Sequence, residues 1–83
     1  MKSVLVIGLG RFGTYIARKF TELGNHVMAI DTDEEKINEI LPYVTNAQIG
    51  DASKPSVLEA IGVDNFDICV VSVGENFQSS LET

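Results

Sequence analysis

The sequence is poor in cysteine and has no long apolar run. Cys69 is the only cysteine among 83 residues, so no disulfide can form within the chain. Its apolar neighbours Ile68, Val70 and Val71 predict a buried thiol, and a single unpaired cysteine favours a reducing, cytoplasmic compartment. The N-terminal apolar segment, residues 3–7, is too short for a membrane span or for the core of a signal peptide.

Positive charge is also scarce. Twelve acidic residues against six basic ones give a formal net charge of −6, which repels phosphate backbones and argues against general nucleic-acid binding. Apolar residues nevertheless make up 45% of the chain, which is ordinary for a soluble globular protein and excludes a disordered one. A chain of this length holds one small core, so we expect a single domain.

The residue types that bind metals are sparse or wrongly spaced. His26 is the only histidine, and it has no cysteine or second histidine to share a zinc ion. The acidic group at residues 31–35 lacks the ligand spacing and central glycine of a calcium loop. These carboxylates are better explained as compensation for the dipole of a helix that starts there. We therefore predict no metal site.

Short apolar segments alternate with helical patterns along the chain. The predicted strands are residues 3–7, 27–30, 44–49 and 67–73. The first predicted helix covers residues 11–23, with the apolar face Phe12, Ile16, Phe20 and Leu23 and a cap at Gly24. The second has Asp33, Glu34 and Glu35 at its N-terminus, the apolar stripe Ile37, Ile40 and Leu41, and its end at Pro42. The third runs from Pro55 to Gly62, with the buried face Val57, Leu58 and Ile61. A further helix is expected to begin near Asn76.

This alternation predicts an α/β fold with a parallel sheet of about four strands. Right-handed crossovers place the helices on the faces of the sheet, and we expect the strand order 3-2-1-4. A complete doubly wound nucleotide fold has about two more strands. We therefore expect a truncated Rossmann fold, with residues 1–83 forming the N-terminal part of a nucleotide-binding domain in a longer chain.

A glycine motif follows the first strand. Gly8, Gly10 and Gly13 match the pattern G-x-G-x-x-G at the start of an amphipathic helix. Gly8 permits the tight exit from the strand, Gly10 lets a phosphate approach the backbone, and Gly13 lets the helix pack close to the sheet. The N–H groups and positive dipole end of the helix favour an anionic phosphate.

Asp31 completes this fingerprint at the end of the second strand, 18 residues after Gly13. Its carboxylate can accept hydrogen bonds from ribose hydroxyls, and it would repel the 2′-phosphate of NADP. NAD, ATP and ADP all remain possible. The alternative is that the glycines form only a tight turn and Asp31 only caps the next helix.

Three further positions are candidates for ligand contact. Arg11 stands at the mouth of the phosphate site, where a guanidinium can bind phosphate oxygens, although a solvated arginine at a helix start is the alternative. Residues 50–52 end the third strand on the same edge, where such loops border adenine, and residues 73–76 occupy the equivalent place after the fourth strand. Either loop could be a plain turn. Lys36 could reach back toward a phosphate or lie on a solvated helix face.

Several segments together resemble a known family. VIGLGRFG, the Asp31-Thr32-Asp33 turn, IGDAS and NFDICVVSVGEN are similar to the RCK domains, also called KTN or TrkA-N domains, over essentially all 83 residues. These domains are the N-terminal parts of cytoplasmic subunits that regulate bacterial potassium uptake. The resemblance implies a subunit that binds NAD(H), ATP or ADP, assembles through dimers into a ring and gates a membrane potassium pore.

The resemblance also implies roles for individual residues. Phosphate contacts fall on Gly10, Arg11, Phe12 and Gly13. The ribose contact falls on Asp31, with Thr32 and Lys36 beside it. Asp51 and Ala52 would border adenine, and Gly74, Glu75 and Asn76 would close the other side of the pocket.

Two classes of function fit these observations. The first is a regulatory nucleotide-binding module, not an enzyme, that acts at the inner face of the cell membrane through a potassium-transporter subunit. The second is the cofactor-binding half of an NAD-dependent dehydrogenase. The sequence favours the first, because no His, Lys or Tyr stands in a recognisable acid–base arrangement. We also expect a homo-oligomer that associates through the uncovered fourth strand, while the polar third strand stays free.

Overall fold

Four parallel strands form one sheet in the computed structural model, which describes residues 1–72. The strand order is β3-β2-β1-β4, and each neighbouring pair is parallel, which confirms the predicted topology. The elements follow the chain as β1 (Ser3–Ile7), α1 (Arg11–Glu22), β2 (His26–Asp31), α2 (Glu34–Ile40), β3 (Asn46–Ile49), α3 (Pro55–Ile61) and β4 (Ile68–Val71). Short 3₁₀ turns, Leu41–Tyr43 and Val63–Asn65, follow α2 and α3.

The two central strands supply most of the buried apolar surface. Val4, Leu5 and Val6 of β1 are fully buried because helices or neighbouring strands surround them on every side. One face of the sheet packs against α1 and α2 and forms the main core cluster. On the other face, the side chains of Ile30 and of Val57 in α3 meet beside Gly50.

Helix α1 presents its smallest residues to the sheet. Gly13 and Ala17 are its buried positions, which allows the helix axis to lie close to the strands. The predicted apolar face was therefore wrong at its two ends, since Phe12 is 59% exposed and Leu23 is 67% exposed. Gly24 follows the helix with φ of 90°, the left-handed conformation expected of a glycine cap.

Helix α2 begins at a carboxylate cap and ends before proline. The side chain of Asp33 accepts a hydrogen bond from the N–H of Glu35 at 3.0 Å, as its place before the helix suggests. Ile37 and Ile40 are buried as predicted. Leu41 was wrongly assigned to the same stripe: it starts the 3₁₀ turn that contains Pro42, and this change of geometry leaves it 45% exposed.

Strand β4 forms one edge of the sheet within the described residues. Ile68 and Val70 pack against the core cluster, whereas Val71 on the opposite face is 64% exposed. The prediction of a buried thiol at Cys69 was wrong, because Cys69 shares that open face and is exposed. The apolar residues predicted for the inner face of α3 are only half-buried. Residues 1–72 contain no helix long and apolar enough to cross a membrane.

Two neighbouring residues at the end of α2 test this packing. Ile40→Ala should lower the free energy of unfolding by about 2–5 kcal/mol, because it opens a cavity in the core. Leu41→Ala should lower it by roughly 1 kcal/mol or less, since Leu41 is partly in water already. Urea unfolding monitored by circular dichroism measures both, and equal losses would contradict the assigned register of α2.

Candidate functional site

The carboxyl ends of the strands bring the predicted site loops together. Ile7 at the end of β1 pairs with Ile30 of β2 and with Val71 of β4, while Asp31 pairs with Ile49 of β3. The glycine loop, the turn after Asp31 and the loop at residues 50–53 therefore leave the sheet along one edge. Ligands of open parallel α/β sheets bind at this kind of edge, where neighbouring crossovers run to opposite faces.

Gly8 makes the sharp exit from β1 that its place in the motif predicts. Its φ of 93° lies in the left-handed region, and any Cβ at this position would overlap the carbonyl oxygen of Ser72. Its N–H donates to the carbonyl of Ile30 at 2.9 Å. Only glycine fits between the ends of β2 and β4 in this conformation.

Gly13 allows the close approach of α1 to the glycine loop. A Cβ on Gly13 would overlap the carbonyl oxygen of Gly8, so the first turn of the helix rests directly on the strand exit. This contact is the helix-to-strand packing expected of the third glycine.

Gly10 is the N-cap of α1, and its backbone conformation is open to any residue, with φ of −71° and ψ of −167°. Its carbonyl accepts the N–H of Thr14 at 2.9 Å, the first hydrogen bond of the helix. The N–H groups of Arg11, Phe12 and Gly13 therefore precede the helical ladder and point out of the helix end. These donors face the edge of the sheet and suit an anion.

Asp31 joins two of the site loops. Its Oδ2 accepts the N–H of Leu9 at 2.7 Å, and its Oδ1 accepts the N–H of Asp33 at 2.8 Å. The half-buried carboxylate thus holds the glycine loop against the turn that starts α2. Each oxygen keeps a further acceptor position, because a carboxylate has about four. Asp33, not Asp31, supplies the cap of α2.

Asp51 organises the loop after β3. Its Oδ1 accepts the hydroxyl of Ser53 at 2.6 Å and the N–H of Ser53 at 2.9 Å. These hydrogen bonds from Ser53 lower the pKa of Asp51 by stabilising its charged form. The loop is joined to β2 through the N–H of Gly50, which donates to the carbonyl of Asp31 at 3.0 Å. Ala52 beside it is half-buried.

The remaining predicted residues surround this centre. Arg11, Phe12 and Thr32 are exposed, and Lys36 is half-buried on α2. Arg11 and Lys36 line the same groove between α1 and α2, together with Gly10. Gly74, Glu75 and Asn76, predicted to close the pocket, lie outside the described residues.

Three residues of the site were not predicted from the sequence. Leu9 contributes a backbone N–H to Asp31, and Thr14 donates its hydroxyl to the carbonyl of Leu9 at 3.1 Å. Ser72 is buried against Gly8, and its N–H donates to the carbonyl of Ile7 at 2.7 Å. A threonine four residues after the second glycine was the one available signal, since the other two contacts use the backbone.

Comparison with known proteins identifies the family. The model of the TrkA-N domain matches residues 4–83. The chain belongs to the TrkA-N family. This TrkA-N chain is 48% identical over 82 residues to the Ktr system potassium uptake protein C of Bacillus subtilis, and 40% identical to protein A of the same system. Each match covers 99% of this chain and 37% of the relative, so the chain spans about a third of their length.

More distant matches agree with this assignment. The Trk system potassium uptake protein TrkA homolog of Pyrococcus abyssi is 34% identical over 74 residues, which are 88% of this chain and 33% of that protein. Among solved structures, N5-carboxyaminoimidazole synthetase from Staphylococcus aureus, complexed with ADP, matches with a TM-score of 0.70. It covers 96% of this chain and 21% of that chain at 17% identity, so this match supports the Rossmann-like fold alone.

The contact between Gly13 and Gly8 can be tested by adding one methyl group. Gly13→Ala should lower the free energy of unfolding by about 1–3 kcal/mol, because the new Cβ meets backbone that cannot move aside. Gly50→Ala is the matched control: its Cβ would lie 3.2 Å from Cδ1 of Ile30, the end of a side chain that can shift. Thermal unfolding measures both, and a neutral Gly13→Ala would show that α1 sits farther from the strand.

The turn at Asp51 predicts a pH response. The pKa of Asp51 is lowered in the folded protein, so its ionised carboxylate adds to the free energy of unfolding. This contribution is complete above the ordinary carboxyl pKa and is lost as the pH falls through the lowered pKa. Ser53→Ala should raise the Asp51 pKa toward its ordinary value in an NMR titration of the carboxyl carbon. Ser56→Ala, a similar change on α3, should leave it unchanged. An Asp51 pKa that is the same in the wild type and in Ser53→Ala would disprove the hydroxyl contact.

Proposed function

We propose that this chain is a regulatory, non-catalytic module that binds an adenine nucleotide, NAD(H), ATP or ADP, and acts with a membrane potassium transporter. The position of Asp31 is the main support for this function. Its carboxylate lies between the glycine loop and the start of α2, beside the N-terminus of α1. A single group of this kind can accept ribose hydroxyls while phosphates meet the helix end.

The ligand is assigned along the edge of the sheet. Its phosphates lie on the N–H groups of residues 11–13, with Arg11 and Lys36 as flanking cations. Its ribose lies on the free acceptor positions of Asp31, beside Thr32. The adenine ring lies by Asp51 and Ala52, and Gly74, Glu75 and Asn76 are proposed to complete the pocket. The carboxylate of Asp31 disfavours NADP, because a 2′-phosphate would meet it at close range.

A regulatory role is favoured over a dehydrogenase by the relatives and by the described groups at the edge. Several relatives of this chain are potassium uptake proteins. Asp31, Asp33 and Asp51 each accept a backbone N–H group, and these hydrogen bonds hold the loops in shape. His26, the only histidine, starts β2 at the opposite edge of the sheet. We place the module at the cytoplasmic face of the membrane, as part of a homo-oligomer.

The ribose assignment is tested by removing hydroxyls from the ligand as well as charge from the protein. Wild-type protein should bind ATP about 10 to 150 times more tightly than 2′,3′-dideoxyATP in calorimetric titrations, because hydrogen bonds to a charged acceptor are lost. Asp31→Asn should remove most of that preference. Asp33→Asn, the same change two residues away, should keep it.

This comparison separates a ribose contact from loop damage. If Asp31→Asn only distorted the glycine loop, it would weaken the binding of both ligands equally, and the ratio of their affinities would stay unchanged. A wild-type protein that binds the two ligands equally would contradict the ribose assignment. A protein that binds no adenine nucleotide at all would overturn the proposed function itself.

The phosphate assignment is tested at Arg11. Arg11→Gln should weaken the binding of ATP by roughly 10-fold or more, and the binding of NAD by less. The triphosphate places more negative charge near the guanidinium than the diphosphate of NAD does. The difference should shrink at high salt, since Arg11 is exposed. Lys2→Gln removes an exposed cation at the opposite edge and serves as the control. Equal small losses for both ligands would leave Arg11 without a phosphate role.

A further inference from the structure

Leu9 and Gly10 form the middle of the glycine loop, and three of their four polar backbone groups are hydrogen-bonded. The N–H of Leu9 donates to Oδ2 of Asp31 at 2.7 Å. The carbonyl of Leu9 accepts the hydroxyl of Thr14 at 3.1 Å, and the carbonyl of Gly10 accepts the N–H of Thr14 at 2.9 Å. The fourth group, the N–H of Gly10, has no acceptor among residues 1–72.

This N–H group belongs to a buried residue, since Gly10 is among the buried positions of the loop. Roughly 90% or more of the buried backbone N–H groups in proteins are hydrogen-bonded, so each exception calls for an explanation. Gly10 also stands at the N-terminus of α1, where an anion finds further N–H donors. The N–H of Gly10 is therefore available to a phosphate oxygen in the proposed complex.

Thr14 sets the direction of this N–H group. The carbonyl of Leu9 and the N–H of Gly10 belong to the same planar trans peptide, so they point in opposite directions. The hydroxyl of Thr14 holds the carbonyl on the side of α1, and the N–H of Gly10 consequently points away from Thr14. The backbone N–H of Thr14 fixes the next peptide plane in the same way, and that plane contains the N–H of Arg11.

The hydroxyl of Thr14 reaches farther back along the chain than threonine hydroxyls in helices usually do. Such hydroxyls commonly donate to a carbonyl three or four residues earlier. Thr21 does so in the same helix, where it donates to the carbonyl of Ala17 at 2.8 Å. Thr14 instead reaches five residues back, past the N-cap at Gly10, to a carbonyl outside the helix. The hydroxyl therefore acts on the glycine loop, whereas that of Thr21 acts within the helix.

We propose that Thr14 is a positioning residue of the nucleotide site: its hydroxyl orients the peptide between Leu9 and Gly10 so that the N–H of Gly10 donates to a phosphate oxygen. This inference rests on the proposed nucleotide binding. Glycine allows a neighbouring peptide plane to rotate at little steric cost, so the loop needs a side chain that holds the plane in place. Without the hydroxyl, rotation would turn the Leu9 carbonyl, the negative end of a dipole, toward the phosphate.

Thr14→Val tests this role, because it removes the hydroxyl and keeps the branched shape of the side chain. Thr21→Val is the matched control, since it removes a hydroxyl that donates within the same helix. Thr14→Ser keeps the hydroxyl and serves as the rescue. Calorimetric titration of the full-length protein with ADP, and displacement of ADP by adenosine, measure how much the phosphates add to the affinity. Thermal unfolding confirms that each variant is folded.

Thr14→Val should reduce the preference for ADP over adenosine by roughly 3- to 10-fold, which corresponds to the loss of one hydrogen bond. The affinity for adenosine should change by less, because the ribose is assigned to Asp31. Thr14→Ser should restore most of the preference, and Thr21→Val should match the wild type. A general defect in α1 would weaken ADP and adenosine equally, and serine would not correct it selectively for ADP.

A second measurement uses the wild type alone. In an NMR titration, the amide proton of Gly10 should shift on saturation with ADP and should shift much less with adenosine, because the proposed acceptor is a phosphate oxygen.

Several outcomes would overturn the role of Thr14. These are a Thr14→Val variant that keeps the wild-type preference for ADP or loses both ligands equally, a Thr14→Ser variant no better than Thr14→Val, and a Gly10 amide that does not respond to ADP. In each case a wild type that binds ADP leaves the proposed function standing. A wild type that binds no adenine nucleotide would overturn the proposed function and the role of Thr14 together.

Discussion

The carboxylate of Asp31 is the interaction on which the candidate site depends. Two backbone N–H groups from segments 22 and 2 residues away converge on its two oxygens. A charged acceptor makes hydrogen bonds that are roughly twice as strong as those between neutral groups. This one side chain therefore fixes the glycine loop of β1 relative to the first turn of α2, and it does so at the edge where the parallel strands end.

The two glycines on either side of that loop make the arrangement possible. Gly8 turns the chain where any side chain would overlap the end of β4, and Gly13 lets α1 rest on the carbonyl of Gly8. The helix consequently begins at the sheet edge with its first N–H groups directed outward. The close packing has a second effect. Gly13 and Ala17 occupy the inner side of α1, so larger residues such as Phe12 and Tyr15 remain on the outer side, where they border the site or line the groove between α1 and α2.

The sequence was sufficient to predict the strand order, the three helices and the close contact at Gly13, because buried parallel strands and capped helices leave strong local patterns. It was insufficient where the outcome depended on which neighbour covers a surface. Cys69 lies in a continuous apolar run, but one face of β4 is open in the described residues. Periodicity likewise placed Phe12 and Leu41 on buried faces, whereas a small-residue contact and a 3₁₀ turn moved them into solvent. The bond between Leu9 and Asp31 left no signal in residue type, because the donor is backbone.

In the proposed complex, an adenine nucleotide binds with its phosphates on the first turn of α1 and its ribose on Asp31. The most direct test is an NMR titration of the isotope-labelled protein with ADP, in which backbone amide shifts are followed residue by residue. We expect saturable shifts at the amides of Leu9, Arg11, Phe12 and Gly13 and at Asp33, whose N–H reports on Asp31. Shifts confined to α3 or to the amino-terminal edge of the sheet, or no shifts at saturating ADP, would show that the nucleotide does not bind at the glycine loop and Asp31.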